Sequence, residues 1–167
     1  MKVEPSHVPI RGSQHASERG GLRLCLVAHS AFPTLAGDAN GHIGGVERQT
    51  VLLARWLAAR RYDVSILTWD EGQPKDVDID GVRVIKMCRR SAGIAGLRFL
   101  FPRWTSLNSA MRRADADLYY QNCAEYVTGQ VALWCRHNRR KFVYSVANDP
   151  DVDPHLPDMH TMRERLL

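Results

Sequence analysis

The residues with most to offer chemically are Gly44-Gly45-Val46-Glu47-Arg48-Gln49, where a glycine-rich loop from His29 to Gly45 gives way to an apolar, amphipathic run. Glycine lets a ligand approach the backbone closely. The amides at a helix start point outward, and the helix dipole favours an anion there. A diphosphate fits that description. A glycine-rich helix cap without a ligand fits it equally well. The loop is neither of the two better-known phosphate binders: GxxxxGK followed by Ser or Thr is absent, and so is GxGxxG.

Other reactive side chains form weaker groups. Asp149, Asp151 and Asp153 alternate in DPDVDP. Carboxylates so spaced could hold a divalent metal that carries a nucleotide diphosphate, but an acidic, proline-rich turn is the simpler reading. His155, Asp158 and His160 are separated by Pro157, which prevents a helical ligand face. No metal site and no cofactor are therefore expected, and no residue stands out as a nucleophile. Cys25, Cys88, Cys123 and Cys135 form no CxxC pair. Cys25 lies in an apolar run, as a buried free thiol would, which points to a reducing, cytoplasmic setting.

The elements that must position these residues follow from hydrophobic period. Leu22 to Ala28 is a short apolar run suited to a strand buried on both faces. Val46 to Arg61 has a wide helical stripe of Val46, Leu53 and Leu57, joined by Leu52, Trp56 and Ala59. Arg55, Arg60 and Arg61 crowd its C-terminal end, where the dipole favours cations. Asp63 to Trp69 is the next strand, so the opening unit is βαβ. Asp80-Gly81 predicts a turn before a strand at 82–87. Residues 92–114 are helical in part, with a break at Pro102. A strand at 117–122, a helix at 127–138 and a strand at 141–147 complete the pattern. Strands alternating with helices predict a parallel sheet of about five strands, covered on both faces.

Residues 1–21 are polar and read as a flexible leader without the apolar core of a secretion signal. Residues 22–167 then form one domain. A helical fragment starting near Met159 is cut off at Leu166-Leu167, as in a truncated or split chain. No apolar run approaches the roughly 20 residues of a membrane span. The net charge of +5 suits phosphate-bearing ligands or an anionic membrane. Nucleic-acid signatures are missing, so no nucleic-acid partner is expected. Between Arg89 and Arg113, arginines are mixed with Phe99, Leu100, Phe101 and Trp104. That mixture suits a peripheral membrane contact, or a core-packed helix with solvated arginines.

The ordered segments RLCLVAHSAFP, GGVERQTVLLARWLAARRYDVSILT, IDGVRVIKM, ADLYYQ and KFVYSVAND resemble the N-terminal domain of family-four retaining glycosyltransferases of the GT-B fold. The likeness spans about residues 22–155. It implies a Rossmann-like α/β domain facing a second domain across a cleft. A hexose would pass, with retention, from a nucleoside diphosphate sugar to a sugar or lipid-linked acceptor. On this resemblance Gly44 and Gly45 contact the donor diphosphate, with Glu47 beside them. Asn122, Glu125, Asn148 and Asp149 fall on the acceptor side. Many members carry histidines where this sequence has Asn122 and Asn148. Asparagine can hydrogen-bond a sugar hydroxyl but cannot shuttle a proton near pH 7. Two other readings stay open: a non-catalytic fragment or binding module, and a metal-dependent sugar-nucleotide transferase using Asp149, Asp151 and Asp153.

Overall fold

The computed structural model describes residues 21–37, 44–75, 77–123 and 127–146. Six strands form one sheet: β1 (Arg23–Val27), β2 (Asp63–Thr68), β3 (Val77–Ile79), β4 (Val82–Lys86), β5 (Leu118–Asn122) and β6 (Lys141–Ser145). Their order across the sheet is β3-β4-β2-β1-β5-β6. All pairings are parallel except β3 with β4. Four helices, α1 (Phe32–Ala36), α2 (Gly45–Ala59), α3 (Thr105–Ala114) and α4 (Thr128–His137), cover its two faces. This is the α/β, Rossmann-like architecture that the sequence implies.

The alternation of side chains along each strand builds two cores. In β1, Cys25 and Val27 point to the side of α3 and α4, where they join Leu107, Met111, Tyr119, Val131 and Trp134. Leu26 points to the other side and packs with Leu35 of α1, Val51 and Ala54 of α2, and Ile66 and Val84 of the sheet. A run that is apolar at successive positions thus serves both faces.

Local chemistry explains where the structure departs from the expectations. The helix α1 lies within the segment read as loop. Pro33 stands in its first turn and Gly37 closes it at φ 77°, while Leu35 is buried. Proline at the start and glycine past the end are both helix signals, but neighbouring glycines obscured them. The strand β3 is not predicted by the sequence pattern, because three residues carry no readable period. It is a hairpin arm: Asp80 (φ 54°) and Gly81 (φ 78°) both take left-handed backbone, as a tight two-residue turn requires. Arg55 holds this turn to α2 through Asp80 at 2.9 Å.

The stripe of α2 also differs from the expected one. Thr50, Val51 and Ala54 are buried, whereas Leu52 and Trp56 face outward. Arg60 lies over the Trp56 ring at 3.5 Å and shields part of it. Arg60 is the residue that caps α2 and Arg61 lies beyond it, so neither belongs to the last turn. Thr50 is accommodated in the core because its hydroxyl donates to the carbonyl of Val46 at 2.8 Å. The break expected at Pro102 is present: an irregular helical segment, Phe99–Trp104, is interrupted at Phe101 and continues into α3.

The leader, apart from Gly21, lies outside the described residues, as does the helical fragment expected from Met159. No helix among the described residues is long and apolar enough to cross a membrane.

Candidate functional site

The sheet order reverses around β1. From β1 the chain passes to β2 and β4 on one side, then returns to β5 on the other. In open sheets of this kind, ligands bind beyond the carboxyl ends of the strands at that reversal. The segments that leave this crevice are the one joining β1 to α2 and the one joining β5 to α4.

Gly44 and Gly45 stand on the crevice side of α2. Gly44 is the extended residue (φ −72°, ψ 157°) just before the helix, and Gly45 is its first residue. The first turn closes with the amide of Arg48 donating to the Gly44 carbonyl at 3.2 Å. The amides of Gly45, Val46 and Glu47 therefore have no intrahelical acceptor. Gly44 offers no side chain to cap them. The two glycines differ in their surroundings. A β-carbon on Gly44 would run into the folded-back carboxylate of Glu47, whereas one on Gly45 would meet no atom within 4 Å. Glu47 thus holds its negative charge over the turn where the dipole favours it. Gly45 opens onto free space.

On the opposite wall, β5 ends in Gln121-Asn122, and the period of the strand sends the two amides to opposite faces. Asn122 is largely buried on the α2 face, and its Nδ2 donates to Oε1 of Gln49 at 3.2 Å. This bond joins the sequence-predicted Asn122 to the GGVERQ segment, 73 residues away along the chain. Gln121 is fully buried on the α4 face, where its Nε2 donates to the Thr128 hydroxyl at 3.0 Å. At the end of β1, buried His29 stacks on Trp69, with ring centroids 4.7 Å apart. The His29 carbonyl accepts the Trp69 amide at 2.8 Å.

The structure therefore gathers Gly44, Gly45, Glu47 and Asn122 at one end of the sheet. Sequence reasoning places Gln49 in the loop–helix motif without giving it a role, and it misses His29 and Gln121. A usable signal existed for the last two: a polar residue directly at the end of a buried apolar strand. Glu125, Asn148, Asp149, Asp151 and Asp153 lie outside the described residues. Among the described residues, no group of His, Cys, Asp or Glu has the arrangement of a metal site. A shallow groove between α3 and α4, lined by Trp104, Asn108, Arg112, Leu133 and Trp134, includes none of the candidate residues.

Among the described residues, three strongly shifted acids, Cys25, Cys135 and Asp117, lie away from the glycine loop. Burial pushes the Cys25 and Cys135 thiols up to about 12, so both are inert core groups near neutral pH. The Arg23 side chain, by hydrogen bonding, holds Asp117 down at about 2. That pair sits at the start of β1 and β5, at the opposite end of the sheet from the glycine loop.

A model of the glycosyl transferase 4-like domain matches residues 44–166, beginning at Gly44 itself. The chain belongs to that family. The match covers the greater part of the sequence, and it agrees with the mostly parallel sheet and two-faced helix packing described above. No curated protein matches the chain.

Proposed function

We propose that this domain forms the acceptor side of a glycosyltransferase site and holds one face of the donor diphosphate. The reaction moves a hexose from a nucleoside diphosphate sugar to a sugar or lipid-linked acceptor, with retention. The carrying observation is the hydrogen bond that ties Asn122 to Gln49 beside the open helix start at Gly44-Gly45. In the transfer, the bond from the anomeric carbon to the diphosphate oxygen breaks, and a bond to the acceptor oxygen forms as the proton of that hydroxyl passes to the departing diphosphate. Charge grows on the departing diphosphate. Outward amides of Gly45, Val46 and Glu47, with the dipole of a 15-residue helix behind them, suit that charge. Asn122 orients a sugar hydroxyl rather than deprotonating it. Glu125, Asn148 and Asp149 are the further acceptor-side residues of this proposal. The four unbridged cysteines support a cytoplasmic setting.

The test is an amide-resolved NMR titration of the chain with nucleoside diphosphates and their sugars, up to millimolar ligand. Shifts concentrated on Gly44 to Gln49, with Asn122 following, are the expected result. Shifts that avoid the α2 start, or none at all, would leave that start as a helix cap and remove the proposal.

A further inference from the structure

We propose that the turn at Ile94–Phe101 docks into the interfacial layer of an anionic lipid bilayer. This goes beyond the sugar-transfer reading and does not depend on it.

The first observation is exposure. Ile94 is 73% exposed, Leu97 61%, Leu100 60% and Phe101 70%, all within eight residues. No residue of the Phe99–Trp104 segment is buried. The core-packed alternative for this stretch therefore fails at its apolar tip. It holds only at the base, where Trp104 packs against the core and Leu107 is buried.

The second observation is that the tip is built rather than loose in its bonding. The amides of Leu97 and Arg98 both donate to the Ile94 carbonyl, at 3.1 and 2.9 Å. Those of Leu100 and Phe101 both donate to the Leu97 carbonyl, each at 3.0 Å. Gly93 (φ 91°) lies so close to Pro102 and the Phe101 carbonyl that a β-carbon there would collide with the Pro102 ring. Backbone groups paired in this way can leave bulk water at lower cost than unpaired ones.

The third observation is charge, and it selects the occupant. No acidic residue occurs between Asp80 and Asp115, while Arg89, Arg90, Arg98 and Arg103 lie in the turn or directly flank it. Asp70 and Glu71 approach Arg89 and Arg90 and offset part of that charge. A clear basic excess remains around the apolar tip. Apolar side chains ringed by arginine match an interface whose headgroups are anionic and whose next layer is hydrocarbon. An uncharged protein surface would give the arginines no counter-charge.

Docking here also orients the domain. The turn follows the carboxyl end of β4, which runs parallel to β1 through β2. Its base reaches the crevice side through Arg103, 5.6 Å from the Trp69 ring on which His29 stacks. A bilayer at Ile94–Phe101 would lie toward the end of the sheet that carries Gly44 and Asn122.

The experiment is co-sedimentation of the full chain with vesicles of phosphatidylcholine alone and with about one-third phosphatidylglycerol. Binding only to the anionic vesicles, released by salt, is expected. Leu97→Asp with Leu100→Asp should weaken it by about tenfold or more. Arg89→Gln with Arg90→Gln, both on exposed positions, should weaken it by up to about fivefold per arginine, because Asp70 and Glu71 already offset part of their charge. Leu52→Asp, equally exposed but on α2, should bind as the parent does. Circular dichroism and melting of each variant confirm that folding is intact. Equal binding to neutral vesicles, no binding at all, or full binding by the folded Leu97/Leu100 variant would overturn the proposal. Self-association in the absence of lipid that the Leu97/Leu100 variant abolishes, without vesicle binding, would assign the turn to a second copy of the chain instead.

Discussion

Replacing Gly45 by alanine separates a helix cap from a ligand site. The new methyl would meet no protein atom within 4 Å, and Gly45 sits at an ordinary negative-φ helix start. Nothing in the fold therefore needs glycine there. Removing glycine's excess freedom in the unfolded chain should raise stability by up to about 1 kcal/mol. That corresponds to a rise in Tm of up to about 3 °C for a domain of this size. Diphosphate binding should move the other way. A methyl between the phosphate oxygens and the outward amides would lengthen one or two charge-assisted hydrogen bonds. Each such bond is worth about 1.5–3 kcal/mol, so affinity should fall by roughly tenfold to a hundredfold. Thermal melting followed by the same NMR titration reads both effects on one sample. Unchanged affinity in a variant of equal or greater stability would refute the binding role. A marked loss of stability would refute the reading of open space.

Three further outcomes are expected. Glu47→Gln removes the negative charge from the first turn of α2 and should cost about 0.3–1 kcal/mol at low salt while strengthening diphosphate binding; weaker binding would show that Glu47 assists the ligand. Tyr119→Phe removes a buried hydroxyl that donates to the Met111 carbonyl at 2.7 Å and accepts the Ala116 amide at 3.3 Å, and should cost about 1–3 kcal/mol in denaturant unfolding. Asp117 has a lowered folded-state pKa, so its contribution is present above its ordinary value of 3.8 and is lost as pH falls through about 2. A carboxylate this exposed retains about 1 kcal/mol of that contribution after solvent screening. Acid unfolding of Asp117→Asn should lack that component between about pH 4 and pH 2, and an unchanged acid limb would contradict the assignment.

The strands were legible because burial on both faces leaves continuous apolar runs such as RLCLV and VSILT. The helix α2 was legible from its period, but its outward face was not. Leu52 and Trp56 are as apolar as Leu53 and Leu57, and only packing decides which pair turns inward. The hairpin arm β3 was too short to read, although the Asp80-Gly81 turn that creates it was identified. Within the candidate site, the glycine pair could be found from composition and position. The partnership of Asn122 with Gln49 could not, because it joins residues brought together only by the sheet. The arginine-rich stretch left two readings because exposure is a property of the folded surface rather than of residue type.

The two amides that close β5 have different freedom to change over evolution. Gln121 is committed to the interior, so a replacement must preserve both its volume and its bond to Thr128. Asn122 bonds to Gln49, an exposed residue of α2. A replacement at 122 breaks a bond to a surface side chain but must still fill a largely buried position, and under the proposed function it would change what the crevice presents. Tyr119, three residues earlier and fastened at the far end of the sheet, holds the register of the strand. The end of β5 thus sets an amide committed to the interior beside one whose partner stands on the surface, on a strand anchored from its other end.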